Sequence, residues 1–230
     1  MLEMLLGTLF GNSCLTCGLP ARGGRFCAAC ISLFPVVDCF CERCGQPLET
    51  RPPPGVNCAD CQKKLPNFSK ARARFHYAFP IDSALKKMKF HRQLAYAPAF
   101  AELLLPVMQA CFSECDAIIP VPLHRWRHVT RGFNQARELA APLARLADLP
   151  MVDTVIRTRA TPPQSGLTRT ARRKNLQGAF EVCGEWRGRR PLIIDDVMTT
   201  GTTCNQLAKL LLRAGADRVD VLTVARASQL

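Results

Sequence analysis

From Ala71 onward the apolar positions fall into short β-like runs alternating with longer stretches of helical spacing. Strands are expected through Phe75–Phe79, at Ala117–Pro120, within Val152–Thr158, at Leu192–Ile194 and at Arg218–Val224. Helices are expected over Ile81–Phe90, over Ala97–Cys111, over Asn134–Ala147 with Pro142 as a point of kinking, and from about Thr202 to Ala214. Strands that alternate with helices imply an α/β unit with a mostly parallel sheet. No stretch approaches the roughly 18 apolar residues that span a bilayer. The apolar start, Met1 to Phe10, is short, lacks a basic lead and runs into cysteines, which argues against a cleaved signal peptide. The chain is therefore expected to be cytosolic.

The densest signal is Leu192-Ile-Ile-Asp-Asp-Val-Met-Thr-Thr-Gly-Thr-Thr203. An apolar strand ends at Ile194, and Asp195 and Asp196 follow where the chain is expected to leave the sheet, the usual place for ligands in open α/β folds. Val197 and Met198 lead into Thr199, Thr200, Gly201, Thr202 and Thr203, which supply backbone N–H groups, hydroxyls and one flexible residue. The positive end of the next helix then favours an anion. Carboxylates repel phosphate, so Asp195 and Asp196 need another task. They can accept hydrogen bonds from the vicinal hydroxyls of a ribose whose 5′-phosphate lies in the threonine cradle. A buried strand ending in a solvated acidic turn is the plainer alternative. A nucleotide hydrolase would carry a Gly-x-x-x-x-Gly-Lys-Ser/Thr loop upstream, and the chain has none.

The charge of +13 is concentrated. Residues 1–65 hold 6 Lys/Arg against 5 Asp/Glu, residues 191–230 hold 4 against 4, and residues 66–190 hold 21 against 9. Clustered positive charge attracts polyanions, whether nucleic acid or a small, highly phosphorylated ligand. The plainer reading is a generic solubility charge.

Thirteen cysteines in a cytosolic chain point to metal rather than disulfides. Eight of them form four Cys-x-x-Cys pairs: Cys14/Cys17, Cys27/Cys30, Cys41/Cys44 and Cys58/Cys61. Each pair can aim two thiolates at one tetrahedral ion. Gly18 and Gly45 follow the second cysteine of pairs one and three, where glycine lets the backbone curl so that N–H groups face the sulfurs. Cys14-Leu-Thr-Cys-Gly-Leu-Pro and Cys41-Glu-Arg-Cys-Gly-Gln-Pro are an internal repeat, each followed by a second pair. The repeat favours two sequential zinc ribbons of four cysteines each, with interleaved pairing as the alternative. Metal also compensates for a lobe too short to build its own core. Two tetrathiolate zinc sites would lower the effective charge to about +9. Cys39, Cys111, Cys115, Cys183 and Cys204 stand outside the pairs and read as small buried hydrophobes. Cys204 opens a helix, an end that can lower a thiol pKa. The join between the lobes is placed near Gln62–Lys70, giving residues 1–65 and 66–230 as the two domains.

Three further segments fit the ribose-phosphate reading. Ile118-Ile-Pro-Val-Pro-Leu123 leaves a strand through two prolines, and Pro122 and Leu123 lie where such a turn exposes backbone N–H groups. Arg131-Gly-Phe-Asn-Gln135 opens a helix, with Arg131 suited to bidentate phosphate contact and Asn134 readable equally as a helix N-cap. Between Arg159 and Phe180, a Pro/Gly hinge precedes Arg169, Arg172, Arg173 and Lys174, as in a flap that closes over an anion. A solvated basic loop is the alternative there.

The acidic doublet with its Thr-Thr-Gly-Thr-Thr tail resembles the phosphoribosyl pyrophosphate (PRPP) motif of type I phosphoribosyltransferases. The cysteine pairs, Pro-Val-Pro-Leu, Arg-Gly-Phe-Asn-Gln, Thr-x-x-Gln, Arg-Arg-Lys-Asn-Leu-x-x-Ala-Phe and Asp-Asp-Val-x-Thr-Thr-Gly occur in one order. Together they resemble the ComF/GntX family of double zinc ribbon phosphoribosyltransferase-like proteins. The resemblance implies a type I phosphoribosyltransferase-like parallel sheet flanked by helices, behind a small N-terminal double zinc ribbon. It also implies a bacterial protein tied to competence or to use of DNA as nutrient. Mg²⁺ would accompany PRPP, Asp195 and Asp196 would orient its ribose, the loop from Met198 to Thr203 would hold its 5′-phosphate, and Arg131 with Arg172 or Arg173 would offset charge on departing pyrophosphate. No general base stands out, and His76, His91, His124 and His128 are scattered. The rival is a PRPP-responsive adaptor that holds single-stranded DNA on its basic middle segment and docks a DNA-processing partner through the zinc lobe. Phe75, His76, Tyr77, Phe79, Phe90 and Tyr96, amid Arg72, Arg74, Lys86, Lys87, Lys89 and Arg92, supply the ingredients for base stacking.

Overall fold

A computed structural model describes residues 12–21, 24–50, 52–123, 132–158, 178–184 and 189–227. Four parallel strands form the central sheet in the order β3-β8-β7-β4: β3 (Ala71–His76), β4 (Ala117–Pro120), β7 (Pro191–Met198) and β8 (Asp220–Arg226). A single parallel bridge, Ile118 to Met151, extends the β4 side. The antiparallel pair β5 (Val155–Arg157) and β6 (Phe180–Val182) stands apart from the sheet.

Helices cover both faces. On one lie α3 (Ile81–Phe90), α4 (Tyr96–Cys111) and α5 (Gln135–Ala147), which pack against Ile118, Leu192, Ile194 and Leu222. On the other lies α6 (Thr202–Arg213), whose Cys204, Leu207, Ala208 and Leu211 pack against Ile119, Ile193 and Val221. These buried positions recur at three- and four-residue steps, the spacing that gives a helix one apolar stripe. α5 runs unbroken through Pro142.

β8 runs two residues later than expected and β6 lies outside the expected strands, and two further strands differ in ways that bear on the site. β3 begins at Ala71, ahead of the expected Phe75, because Arg72 and Arg74 interrupt its apolar pattern. Arg72 is buried all the same: its guanidinium pairs with Glu42 and lies 4.3 Å from the centre of the Phe40 ring. β7 does not end at Ile194. β4 leaves the sheet after Pro120, but β8 stays paired with β7 as far as Met198 opposite Arg226. Asp195 and Asp196 therefore sit on a strand that has lost one neighbour and kept the other.

The cysteine-rich lobe straddles the free edge of β3. Its small elements are β1 (Asn12–Ser13), β2 (Pro20–Ala21), α1 (Ala28–Ser32) and α2 (Ala59–Lys63). Between the two cysteine groups the chain pairs antiparallel with β3: Val37 N donates to Arg74 O at 3.1 Å and His76 N to Pro35 O at 2.7 Å. An open strand edge is thereby covered. The first cysteine group adds Cys14, Phe26, Cys30 and Phe34 to the α3–α5 core, and the second brings Cys44 and, just beyond it, Phe68 to the α6 core.

Candidate functional site

The helices after β4 and β7 pass to opposite faces of the sheet, so the strand order reverses between them. A crevice opens beyond the carboxyl ends at such a switch point, the place where open α/β sheets bind ligands. One wall is Val121, Pro122 and Leu123, tied to the other by Val121 N donating to Ile194 O at 2.9 Å. Asn134 is the N-cap of α5: its Oδ1 accepts from Ala136 N at 3.1 Å and its Nδ2 donates to Val121 O at 3.0 Å. Arg131, Arg172, Arg173, His124 and His128 lie outside the described residues.

The second wall carries the acidic pair. Asp195 Oδ1 accepts from Asp196 N at 2.9 Å, and Asp196 Oδ1 accepts from Val197 N at 2.8 Å. The side chains part ways along the strand. Asp196 reaches toward α3, where Lys89 Nζ is 3.5 Å from Oδ2. Asp195 lies toward α6, close enough for its charge to act on Cys204. Burial first, and the neighbouring Asp196 charge second, push the Asp195 carboxyl well above the usual carboxylate range.

The threonine turn follows. Gly201, at φ 70°, is the N-cap of α6 and has no side chain to cap it, and Thr202 N reaches only the Thr200 hydroxyl, at 3.4 Å. Thr200 and Thr202 hydroxyls lie 2.8 Å apart. Met198, Thr199, Thr200, Gly201, Thr202 and Thr203 thus surround a helix end whose leading N–H groups suit an anion. Cys204 at this end is buried, as a small hydrophobe would be, and burial raises its thiol pKa despite the helix start.

Three contributors escape a reading of the sequence. Lys89 is one lysine among several on α3. Arg226 ends β8 beside Met198, and its Nη1 donates to Met198 O at 3.0 Å and to Thr199 O. Asn67 binds Asn205 in the first turn of α6 through Asn67 N to Asn205 Oδ1 at 2.6 Å. The partners of Lys89 and Asn67 are more than a hundred residues away. For Arg226 only a strand-end position hints at a role.

The eight paired cysteines gather in sequence order. The sulfurs of Cys14, Cys17, Cys27 and Cys30 lie within 4.8 Å of one another, as do those of Cys41, Cys44, Cys58 and Cys61. The repeat extends to detail. α1 starts after Cys27 and α2 after Cys58. Gly18 N donates to Cys14 O and Gly45 N to Cys41 O, both at 2.8 Å, so the glycines bond to carbonyls and not to sulfur. The N–H groups facing the first sulfur come from Cys17, Cys27 and Thr16 in one group, and from Cys58, Cys44 and Arg43 in the other. Burial alone would raise these two thiols, but the N–H groups outweigh it and hold Cys14 at about 6 and Cys41 at about 7. Burial raises Cys44 to about 11 and lifts Cys30 and Cys61 as well. Four converging sulfurs with N–H donors behind them fit a tetrahedral thiophilic ion, which would take the place of the missing protons. Cys39 belongs to neither group, and Cys111 and Cys115 are half-buried against the α4 core.

Comparison with known proteins agrees with both halves. The double zinc ribbon domain matches residues 5–62, and the phosphoribosyl transferase domain matches residues 130–229. Competence protein F of Haemophilus influenzae is 34% identical over 95% of this chain and 98% of its own. The chain belongs to the ComF/GntX family. DNA utilization protein YhgH of Escherichia coli K12 is 35% identical over 93% of this chain and 96% of its own. Competence protein ComFC of Streptococcus pneumoniae is 26% identical over 93% and 99%. Among the described residues of this ComF/GntX protein, no helix is long and apolar enough to cross a membrane.

Proposed function

We propose that the chain binds PRPP in the switch-point crevice and belongs to the handling of DNA for uptake or nutrition, as the names of its relatives suggest. One observation carries the reading: an acidic pair and a threonine-lined helix end with glycine as its N-cap share one rim of that crevice. Asp195 and Asp196 would accept the ribose hydroxyls, and the N–H groups and hydroxyls from Met198 to Thr203 would hold the 5′-phosphate. Pro122 and Leu123 would face the pyrophosphate. Mg²⁺ arriving with PRPP would offset charge on the pyrophosphate while Asp195 and Asp196 orient the ribose. The two cysteine groups would each hold a structural Zn²⁺. Calorimetry with PRPP and Mg²⁺ on the metal-replete protein tests the reading, with binding expected to be lost in Asp195→Ala, Asp196→Ala. Absence of heat in the wild type would falsify it.

A second reading, a single-stranded DNA adaptor, has its own support. Phe75 and Tyr96 are core residues, but Tyr77, Phe79 and Phe90 are exposed beside Lys86, Lys87 and Lys89. A cavity of about 470 Å³ lined by Tyr77, Lys86, Lys89, Phe90 and His91 opens beside Asp196. Exposed rings among cations suit bases and phosphates. Pyrophosphate release from PRPP with a panel of bases supports the enzyme. Single-strand binding that weakens with salt, and that survives the double alanine variant, supports the adaptor.

A further inference from the structure

The cavity beside Asp196 stands across β7 from the proline-bearing wall of the crevice. In the strand order β3-β8-β7-β4 the wall at Pro122 and Leu123 follows β4, whereas the cavity is lined by Tyr77, the first residue past β3, and by α3. Tyr77 N donates to Arg226 O at 2.9 Å, which fixes its backbone over the carboxyl ends of β3 and β8. The exposed Tyr77 and Phe90 rings face into this space, and Leu85 and Val197 add apolar surface. Its volume of about 470 Å³ falls in the range of small-molecule sites, roughly 300–1,000 Å³. A nucleic acid strand calls instead for a groove that runs past at least about four nucleotides.

Charge narrows the ligand. Lys86 and Lys89, one turn apart on α3, bring two ammonium groups to the cavity, and an ammonium only donates. Lys86 Nζ also lies 2.7 Å from Asp82, which is not part of the lining. Asp196 is the one anion among the lining residues, and its Oδ2 is 3.5 Å from Lys89 Nζ. That pair is long, so the Lys89 ammonium can serve a second anion. A planar ring that bears a carboxylate meets both needs. The ring lies against Tyr77 and Phe90, and the carboxylate accepts from the lysines. A ring edge that donates hydrogen bonds meets only one carboxylate, Asp196, which the ribose claims in the PRPP reading.

We infer that this cavity receives a heteroaromatic carboxylate, the acceptor for a ribose held at Asp195 and Asp196. The acceptor role rests on the PRPP reading. Displacement at C1 brings the nucleophile in opposite the leaving group, and the cavity lies across β7 from the wall assigned to pyrophosphate. The lone pair of a ring nitrogen forms the bond to C1, the C1–O bond breaks, and its electron pair departs with pyrophosphate. Where that nitrogen carries a proton, the proton goes to solvent. Lys89 is then the residue that selects for the carboxylate.

Calorimetry on the metal-replete protein without PRPP tests the cavity, with two matched pairs as probes: nicotinate against nicotinamide, and orotate against uracil. Each carboxylate should bind at least about tenfold tighter than its neutral partner, the worth of one charge-assisted bond. Lys89→Met should erase that preference and Lys86→Met should reduce it, the exposed Lys86 supplying the test if Lys89→Met does not fold. Phe90→Ala should weaken both members of a pair together. Lys209→Met removes the same charge from α6, on the other face of the sheet, and should leave the preference intact. Equal affinities within both pairs, or a preference that survives both lysine variants, overturn the inference. So does an oligothymidylate whose binding is weakened by Phe90→Ala while no carboxylate binds, which gives the cavity to single-stranded DNA. Titration of PRPP with Mg²⁺ separates this inference from the reading it rests on. Heat from PRPP with none from the carboxylates keeps the PRPP site and ends the inference. A carboxylate preference with no heat from PRPP upholds the ligand class and ends the acceptor role.

Discussion

The two ribbons share a sequence repeat, a glycine at matching positions and the same N–H to sulfur wiring, yet they attach to different parts of the molecule. The first is held by apolar packing. Phe26 lies 5.1 Å from Phe34, 5.8 Å from Phe100 and 6.1 Å from Tyr96, centre to centre, and Tyr96 Oη donates to Leu15 O at 2.5 Å. These contacts reach α4, far from the threonine turn in the chain and on the other face of the sheet. The second is held by polar and charged contacts: Arg72 to Glu42, Ala71 N to Arg43 O and, in the segment leaving it, Asn67 to Asn205. Copies of one unit can thus take unlike roles, because the metal fixes the internal fold and leaves the outer surface free to specialise. The first ribbon enlarges a small core. The second positions backbone beside the crevice.

Metal removal is the harshest way to test this contrast. Structural zinc contributes on the order of 10 kcal/mol per site, so a chelator should unfold both ribbons. Amide exchange should report lost protection over residues 14–34 and 41–63, and elemental analysis should find two zinc ions before treatment. The sheet core from β4 to β8 should persist longer than the ribbons. If the two regions open at clearly different chelator concentrations, the sites are independent, as their separate attachments suggest.

Phe26→Ala isolates the first ribbon. It empties an aromatic cluster and should cost about 3–5 kcal/mol, seen as a lower midpoint in urea. PRPP affinity of the folded fraction should not change. Loss of affinity would show that the first ribbon also shapes the site and would erase the distinction.

How much of this contrast can be read from the chain is uneven. The cysteine repeat and the dozen residues from Leu192 are legible because each is a local pattern with a local cause. Spacing sets the thiolate pairs, and an apolar run followed by turn residues sets β7 and α6. The start of β3 is hidden because Arg72 and Arg74 break its apolar run, and the partners that allow Arg72 to be buried lie at Phe40 and Glu42. The end of β7 falls beyond its apolar run because β8, not β7 itself, carries the pairing to Met198. Arg226 is illegible since its bonds to the Met198 and Thr199 carbonyls depend on β8 lying beside β7. Fold and candidate ligands follow from short-range chemistry, whereas the connection between lobes exists only in three dimensions.

The two knuckle glycines sharpen the comparison at a single atom. Gly18 and Gly45 have φ of 77° and 64°. A Cβ at Gly18 would meet nothing within 4 Å, but one at Gly45 would lie 2.8 Å from Ala71 O. Gly18→Ala should therefore cost only the left-handed backbone penalty of about 1 kcal/mol. Gly45→Ala adds a collision with the start of β3 and should cost about 3 kcal/mol. Equal shifts in the urea midpoint would mean that the second ribbon does not press on the sheet.

Asp195 offers the smallest effect and the one with a distinctive sign. Its pKa is raised in the folded protein, first by burial and then by Asp196. The folded state therefore binds the Asp195 proton more tightly than the unfolded chain does. That contribution is fully present below the unfolded value of about 3.9 and is lost as pH rises through the folded value. Asp195→Asn removes the loss, so at pH 8 the variant should be more stable than wild type, and at pH 4 the difference should shrink. Partial contact with solvent limits the gain to about 1 kcal/mol. PRPP binding should move the opposite way, because the ionised carboxylate is the better acceptor for ribose hydroxyls. Wild-type affinity should rise with pH and that of Asp195→Asn should stay low and flat. Urea midpoints and calorimetry at both pH values decide. A variant less stable at pH 8 would mean that Asp195 is held by bonds that favour its charge, making it a structural carboxylate and not one kept under strain for a ligand.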